Sequence, residues 1–230
     1  MRWRTFSPWW PRAGSDAAPK RFSAKSRERF GAPLRLPEFW TERLPFLEAL
    51  EEDWQPVPRA ALIVWLIFYL FFLFELASGG GFPNYMDLVF IPVHEGGHLL
   101  FRWFGQFVAV AGGTFMQLAA PVMLAIYFGF RRQAQAVAFC IFFFFEQFLP
   151  ISIYMADARA QQLPLLTVGD SEDVIHDWNY LFSHLGLLEH DTQIASTFRV
   201  LGWLGMLATV AWFVRRGLDR NSGEIKRAKF

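Results

Sequence analysis

Residues 60–77 read AALIVWLIFYLFFLFELA, a stretch with one charge, Glu75, next to its end. At 1.5 Å per residue a helix of this length reaches about 27 Å, close to the ~30 Å hydrocarbon core of a bilayer. Three further runs behave alike. Phe107–Phe130 has no charge, Ala134–Met155 has only Glu146, and Val200–Val214 has none, with Arg199 before it and Arg215-Arg216 behind. Hydrophobic residues make up 53% of the 230-residue chain, and their clustering into long charge-free runs excludes an ordinary soluble helical core. The sequence therefore predicts an all-α polytopic membrane protein with four to five transmembrane helices, the fifth being replaced by a reentrant element in the lower count.

The remaining composition narrows the function classes. A net charge of +1 gives no basic surface for nucleic acid, and the expected surroundings are the lipid bilayer. Cys140 is the single cysteine, inside a predicted span, so an intrachain disulfide is excluded and a packing role is expected. The first 59 residues lack an apolar h-region, so no cleavable signal peptide is expected. Residues 1–55 read as a polar, loosely held N-terminal region. It includes an amphipathic segment, Pro37–Trp54, suited to the membrane interface. Residues 56–216 form the transmembrane domain and 217–230 a basic tail. By the positive-inside rule Arg131-Arg132 and the tail face the cytoplasm, while the acid-rich loop 157–195 faces the other side. Both termini are then inside if the segment 86–104 enters without crossing, which is the favoured count. Gly112-Gly113, after FVAVA, is expected to turn a short hairpin.

That segment contains PVHEGGHLLF, residues 92–101. Two histidines and a glutamate in apolar surroundings are costly unless something satisfies them. On a helix His94 and His98 share a face, where two imidazoles can bind one zinc ion. Glu95 projects beside them as a general base for water that the metal activates. The competing reading is a pair of hydrogen-bonded histidines with Glu95 bridged to Arg102. Gly96 and Gly97 allow close approach of another helix or a substrate main chain.

A catalytic zinc site has three protein ligands, so a third is required. Asp157 follows the third long run after Pro150, in EQFLPISIYMADARA, and His176 stands in GDSEDVIHDWNYLF between Asp173 and Asp177. Either fits. A carboxylate beside His176 suits the second ring nitrogen of a ligating histidine. Glu146, charged in mid-span, calls for a partner such as Gln147 or a residue on another helix. Gln117 offers a hydrogen bond to a substrate or to a neighbouring helix.

HEGGH in an apolar segment, then GGTFMQLAAPV, then an apolar span ending EQFLPISIYMAD, resembles the site-2 protease family of intramembrane zinc metalloproteases. The resemblance covers about residues 86–160. It implies zinc ligands His94, His98 and Asp157, with Glu95 as general base, a Zn2+ cofactor, and a membrane protein or peptide as substrate. It also implies a multi-pass protein, expected in a bacterial inner membrane. Ala158 follows Asp157 where the family has glycine, and the loop after it lies outside the family pattern, so His176 stays open as a ligand. The alternatives in function are a non-proteolytic metal-binding scaffold, or inactive relative, and a zinc hydrolase of lipid or another small molecule.

Overall fold

The computed structural model describes residues 54–79, 82–163 and 175–227. The N-terminal region, with nearly all of its amphipathic segment, and Asp173 lie outside the described residues. Among the described residues the chain is helical throughout, without strands: α1 Arg59–Ser78, α2 Phe82–Phe101, α3 Gln106–Phe130, α4 Ala134–Glu146, α5 Phe148–Ala156, α6 Asp177–Leu185 and α7 Asp191–Arg227. Four helical stretches are long and apolar enough to cross a membrane: α1, α3, α4 with α5 as one 23-residue run, and 188–218. The fold is that of an all-α polytopic membrane protein.

Local sequence explains the element boundaries. Pro58 precedes α1, where its fixed φ and missing N–H are harmless, and Gly79 ends the helix in the left-handed region at φ 71°. Ile63, Val64, Ile67, Leu70 and Phe74 on α1 stay exposed, which suits acyl chains rather than water. Tyr69 and Phe72 point the other way and are fully buried. They pack on Phe142 and Phe143 of α4, with Tyr69 and Phe142 ring centroids 4.8 Å apart. The Phe-rich run of α4 is thus the aromatic seam of the bundle, and Met206 and Phe213 of α7 close it. A second cluster, Ile151, Met155, Ala158, Phe182 and Ala195, ties α5, α6 and α7 together.

The expected hairpin at Gly112-Gly113 is not where the chain turns. Both residues lie inside α3, and the turn is made by Arg102–Phe104 and Gly105, whose φ of 94° disfavours a side chain. The two glycines serve close packing instead. A Cβ on Gly97 would sit 2.2 Å from the Gly112 carbonyl oxygen, and one on Gly112 would sit 2.8 Å from the Gly97 oxygen. Helices α2 and α3 therefore cross with their backbones in contact. The run 134–156 breaks at Gln147, three residues before Pro150, which has no N–H to return to Glu146.

Candidate metal centre

Helix α2 continues through Pro92 and presents His94 and His98 on one face, their ring centroids 4.7 Å apart. Each ring is held at Nδ1 by an acceptor. His94 Nδ1 is 3.0 Å from Gln117 Oε1, and His98 Nδ1 is 2.9 Å from the carbonyl oxygen of Ala109, both on α3. A carbonyl oxygen only accepts, so the His98 Nδ1 carries the proton, and the same holds for His94 facing the amide oxygen. Both Nε2 atoms point at one place.

That place holds Asp177. Its Oδ2 lies 3.0 Å from His94 Nε2 and 3.3 Å from His98 Nε2. Three acceptor atoms at this spacing repel one another unless a cation lies among them, either protons on the rings or a metal. Ligand bonds of about 2.0–2.2 Å at tetrahedral angles put donor atoms about 3.3–3.6 Å apart; the 3.3 Å spacing meets this, and the 3.0 Å spacing, a hydrogen-bond length, is about 0.3 Å short of it. Glu95 stands beside the two histidines: ligand atoms of His94, Glu95 and His98 all lie within 4.8 Å of one another. Space is kept for this convergence by Gly113, where a Cβ would meet both Nε2 atoms at 2.6 Å. Among the described residues no ion pair joins Glu95 to Arg102, whose guanidinium lies over the Trp103 ring at 4.7 Å.

Asp177 is 7% exposed, and burial by itself raises a carboxyl's pKa. Hydrogen bonds from His94 and His98 outweigh that burial and hold Asp177 below the ordinary carboxylate range. Its backbone N–H donates to Tyr154 Oη at 3.1 Å, which fixes the start of α6 against α5.

The two proposed third ligands stand together, next to this cluster. His176 Nε2 is 3.4 Å from Asp157 Oδ2. His176 Nδ1 caps α6 by accepting from the Asn179 N–H at 3.2 Å, so its proton is on Nε2, facing Asp157. Asp157 also accepts from the N–H groups of Gln162 and Leu163, at 2.9 and 3.0 Å. Burial opposes its charge; those two backbone bonds and then His176 prevail, and its pKa lies below the usual value. The pair acts as a clamp that delivers the next residue, Asp177, to the histidines.

Sequence reading treated Asp177 as a partner for His176 and passed over Tyr154. The signal for Asp177 was only its place at a helix start. Gln117 and Glu146, both singled out, belong to one hydrogen-bonded row with Gln147. Gln117 Nε2 donates to Gln147 Oε1 at 2.6 Å, and Gln147 Nε2 donates to Glu146 Oε2 at 2.6 Å. Gln117 and Gln147 each lie about 20 Å along their helices from the Arg131-Arg132 turn, well inside an apolar slab of about 30 Å. Comparison with protein-family models, with curated proteins and with solved structures finds no match for this chain.

Proposed function

We propose that the chain is an intramembrane zinc metalloprotease, with His94, His98 and Asp177 holding the metal and Glu95 as general base. The observation that carries the reading is the meeting of Asp177 Oδ2 with both Nε2 atoms, at 3.0 and 3.3 Å, while both Nδ1 atoms are engaged elsewhere. A zinc ion bound there supplies Lewis acidity, lowering the pKa of water and polarising a carbonyl.

The protein's own residues do the rest. The Glu95 carboxylate accepts a proton from the attacking water and returns it to the leaving amine nitrogen. Gln117 and Ala109 keep the imidazoles turned so that Nε2, not Nδ1, faces the centre. Gly96 is exposed, with open space where a Cβ would stand, so an extended substrate backbone can lie against α2 beside Glu95. The burial of the site in apolar helices supports a membrane-associated peptide as substrate, because the scissile segment reaches such a depth only by entering the bilayer.

The test pairs metal content with turnover. Full-length protein in proteoliposomes is expected to cleave a panel of transmembrane peptides, and Glu95→Gln to stop cleavage while retaining about one zinc per chain. Asp177→Ala is expected to lose the zinc. Undiminished cleavage by Glu95→Gln, or full zinc in Asp177→Ala, would overturn the assignment.

A further inference from the structure

The two ends of the bundle differ in charge, and the metal centre belongs to one of them. Gln55, just before α1, binds the turn after α3. Its N–H donates to the Arg132 carbonyl oxygen at 2.9 Å, and its Nε2 donates to that of Arg131 at 3.0 Å. Arg132 and Arg216 both lie over the Trp54 ring, at 5.5 and 4.9 Å. The starts of α1 and α4, the end of α3 and the Arg215-Arg216 stretch of α7 therefore meet at one basic end. Because α1 leaves this end and α3 returns to it, α2 between them adds no net crossing. Asp157, Asp177 and Asp191 gather at the opposite end, where Arg159 is paired with Asp191.

Depth follows from the helical rise. Along α3, Gln117, which holds His94, lies about 21 Å from Arg131, and Ala109, which holds His98, about 33 Å. Gly113, which keeps space for both Nε2 atoms, lies between them at about 27 Å. Counted from Arg131 across an apolar slab of about 30 Å, the centre stands in the half away from the basic end, with His98 near its border. A second marker agrees. The turn just beyond His98 exposes Trp103 and Phe104, with the Arg102 guanidinium over the Trp103 ring. An exposed tryptophan beside an arginine suits the headgroup layer rather than mid-bilayer.

We infer that the metal centre opens to the non-cytoplasmic side, and that its substrate is a membrane segment cut in the non-cytoplasmic half of the bilayer. Charge assigns the side. Arg59, Arg131, Arg132, Arg215 and Arg216 flank the spans at the basic end, and Arg220, Lys226, Arg227 and Lys229 follow in the sequence. The positive-inside rule puts that end in the cytoplasm. Water reaches the centre from the other side, where α6 carries the exposed Ser183 and His184. A substrate can approach from lipid along α2, where Gly96, Leu99 and Leu100 are exposed. Near the headgroups the peptide groups of an unwound strand still find water, which the middle of the bilayer denies them. The inference rests on the protease reading for its substrate, but the side to which the centre opens is measurable without cleavage.

The experiment expresses the full-length chain in a bacterial host and labels introduced cysteines with a membrane-impermeant maleimide. The native Cys140 is buried and stays silent. Ser183→Cys, at the metal-centre end, is expected to label in intact spheroplasts, and Pro56→Cys, at the basic end, only after lysis; both positions are exposed. Glu189→Cys, also exposed, takes the place of Ser183→Cys if that variant does not fold. EDTA, whose charges keep it out of hydrocarbon, is expected to strip zinc from right-side-out vesicles more than about 10-fold faster than from inside-out ones. A single-span peptide with a Gly-Pro break in its non-cytoplasmic half should be cut more than about 10-fold faster than one broken in the other half. Labelling of Pro56→Cys in intact spheroplasts overturns the inference, as does zinc loss no faster from right-side-out than from inside-out vesicles. Equal cutting of the two peptides, or a preference for the cytoplasmic break, overturns the substrate assignment. Wild type that binds no zinc refutes the metal reading, while the labels still decide which side that end of the bundle faces.

Discussion

Three glycines at the α2–α3 crossing predict three different outcomes for the same change, to alanine. At Gly113 the new Cβ would stand 2.6 Å from His94 Nε2 and from His98 Nε2, where ordinary contact begins at 3.4 Å. The rings must retreat by about 0.8 Å, and ring ends can swing aside without moving the backbone. Metal–ligand distances tolerate only about 0.2 Å, so both nitrogens leave the centre together. Zinc affinity should fall more than about 100-fold, beyond the usual effect of a supporting residue, with little change in thermal stability. At Gly97 the obstacle is the Gly112 carbonyl at 2.2 Å, which is main chain and cannot swing. The helices must part by about 1.2 Å, and a cost towards the upper end of the usual 1–3 kcal/mol for overpacking is expected, with the zinc lost as well. At Gly96 nothing lies within 4 Å, so alanine should be neutral or stabilise α2 by up to about 1 kcal/mol. Zinc by elemental analysis and chelator competition, with melting curves in detergent, separates the three. Wild-type zinc affinity in Gly113→Ala, or a wild-type melting temperature in Gly97→Ala, would refute the reasoning.

The clamp and its surroundings give further expectations. Because the folded Asp157 pKa lies below the unfolded value of about 3.9, its pairing stabilises the loop above about pH 4 and is lost as pH falls through the folded value. The protection of the Gln162 and Leu163 amides, taken relative to the intrinsic exchange rate at each pH, should therefore fall in acid, and at neutral pH in Asp157→Asn. Tyr154→Phe removes the acceptor of the Asp177 N–H and should weaken zinc binding about 10-fold, measured by chelator competition, while leaving the zinc stoichiometry intact. Arg159 pairs with Asp191 at 2.8 Å, and Asp191 is 1% exposed, so Arg159→Met should lower the melting temperature by leaving a buried acid without its cation.

The spans were legible because lipid imposes a length and an absence of charge on each helix, and both survive in the bare sequence. The His94–His98 face was legible because residues four apart on a helix must meet. The carboxylate opposite them was not. His176 has an extended backbone, at φ −75° and ψ 108°, and along extended chain consecutive side chains diverge. His176 turns to Asp157 while Asp177 turns to the histidines, a choice set by where α6 docks on α5 rather than by residue type. Gly112 and Gly113 were misread for a related reason. Glycine is equally suited to a turn and to a helix crossing, and only the partner helix distinguishes the two.

The distance along the chain between His94 and Asp177 also sets an order of events during synthesis. The two are 83 residues apart, and the helices that carry Gln117, Gln147 and Tyr154 are made in between. A nascent chain that has inserted only as far as α5 holds the histidines, already turned by Ala109 and Gln117, but lacks the Asp177 carboxylate. The centre is completed late, after the three earlier apolar runs have been threaded into the bilayer and α6 has docked. An unfinished chain on the ribosome is thereby kept from assembling the full set of donors.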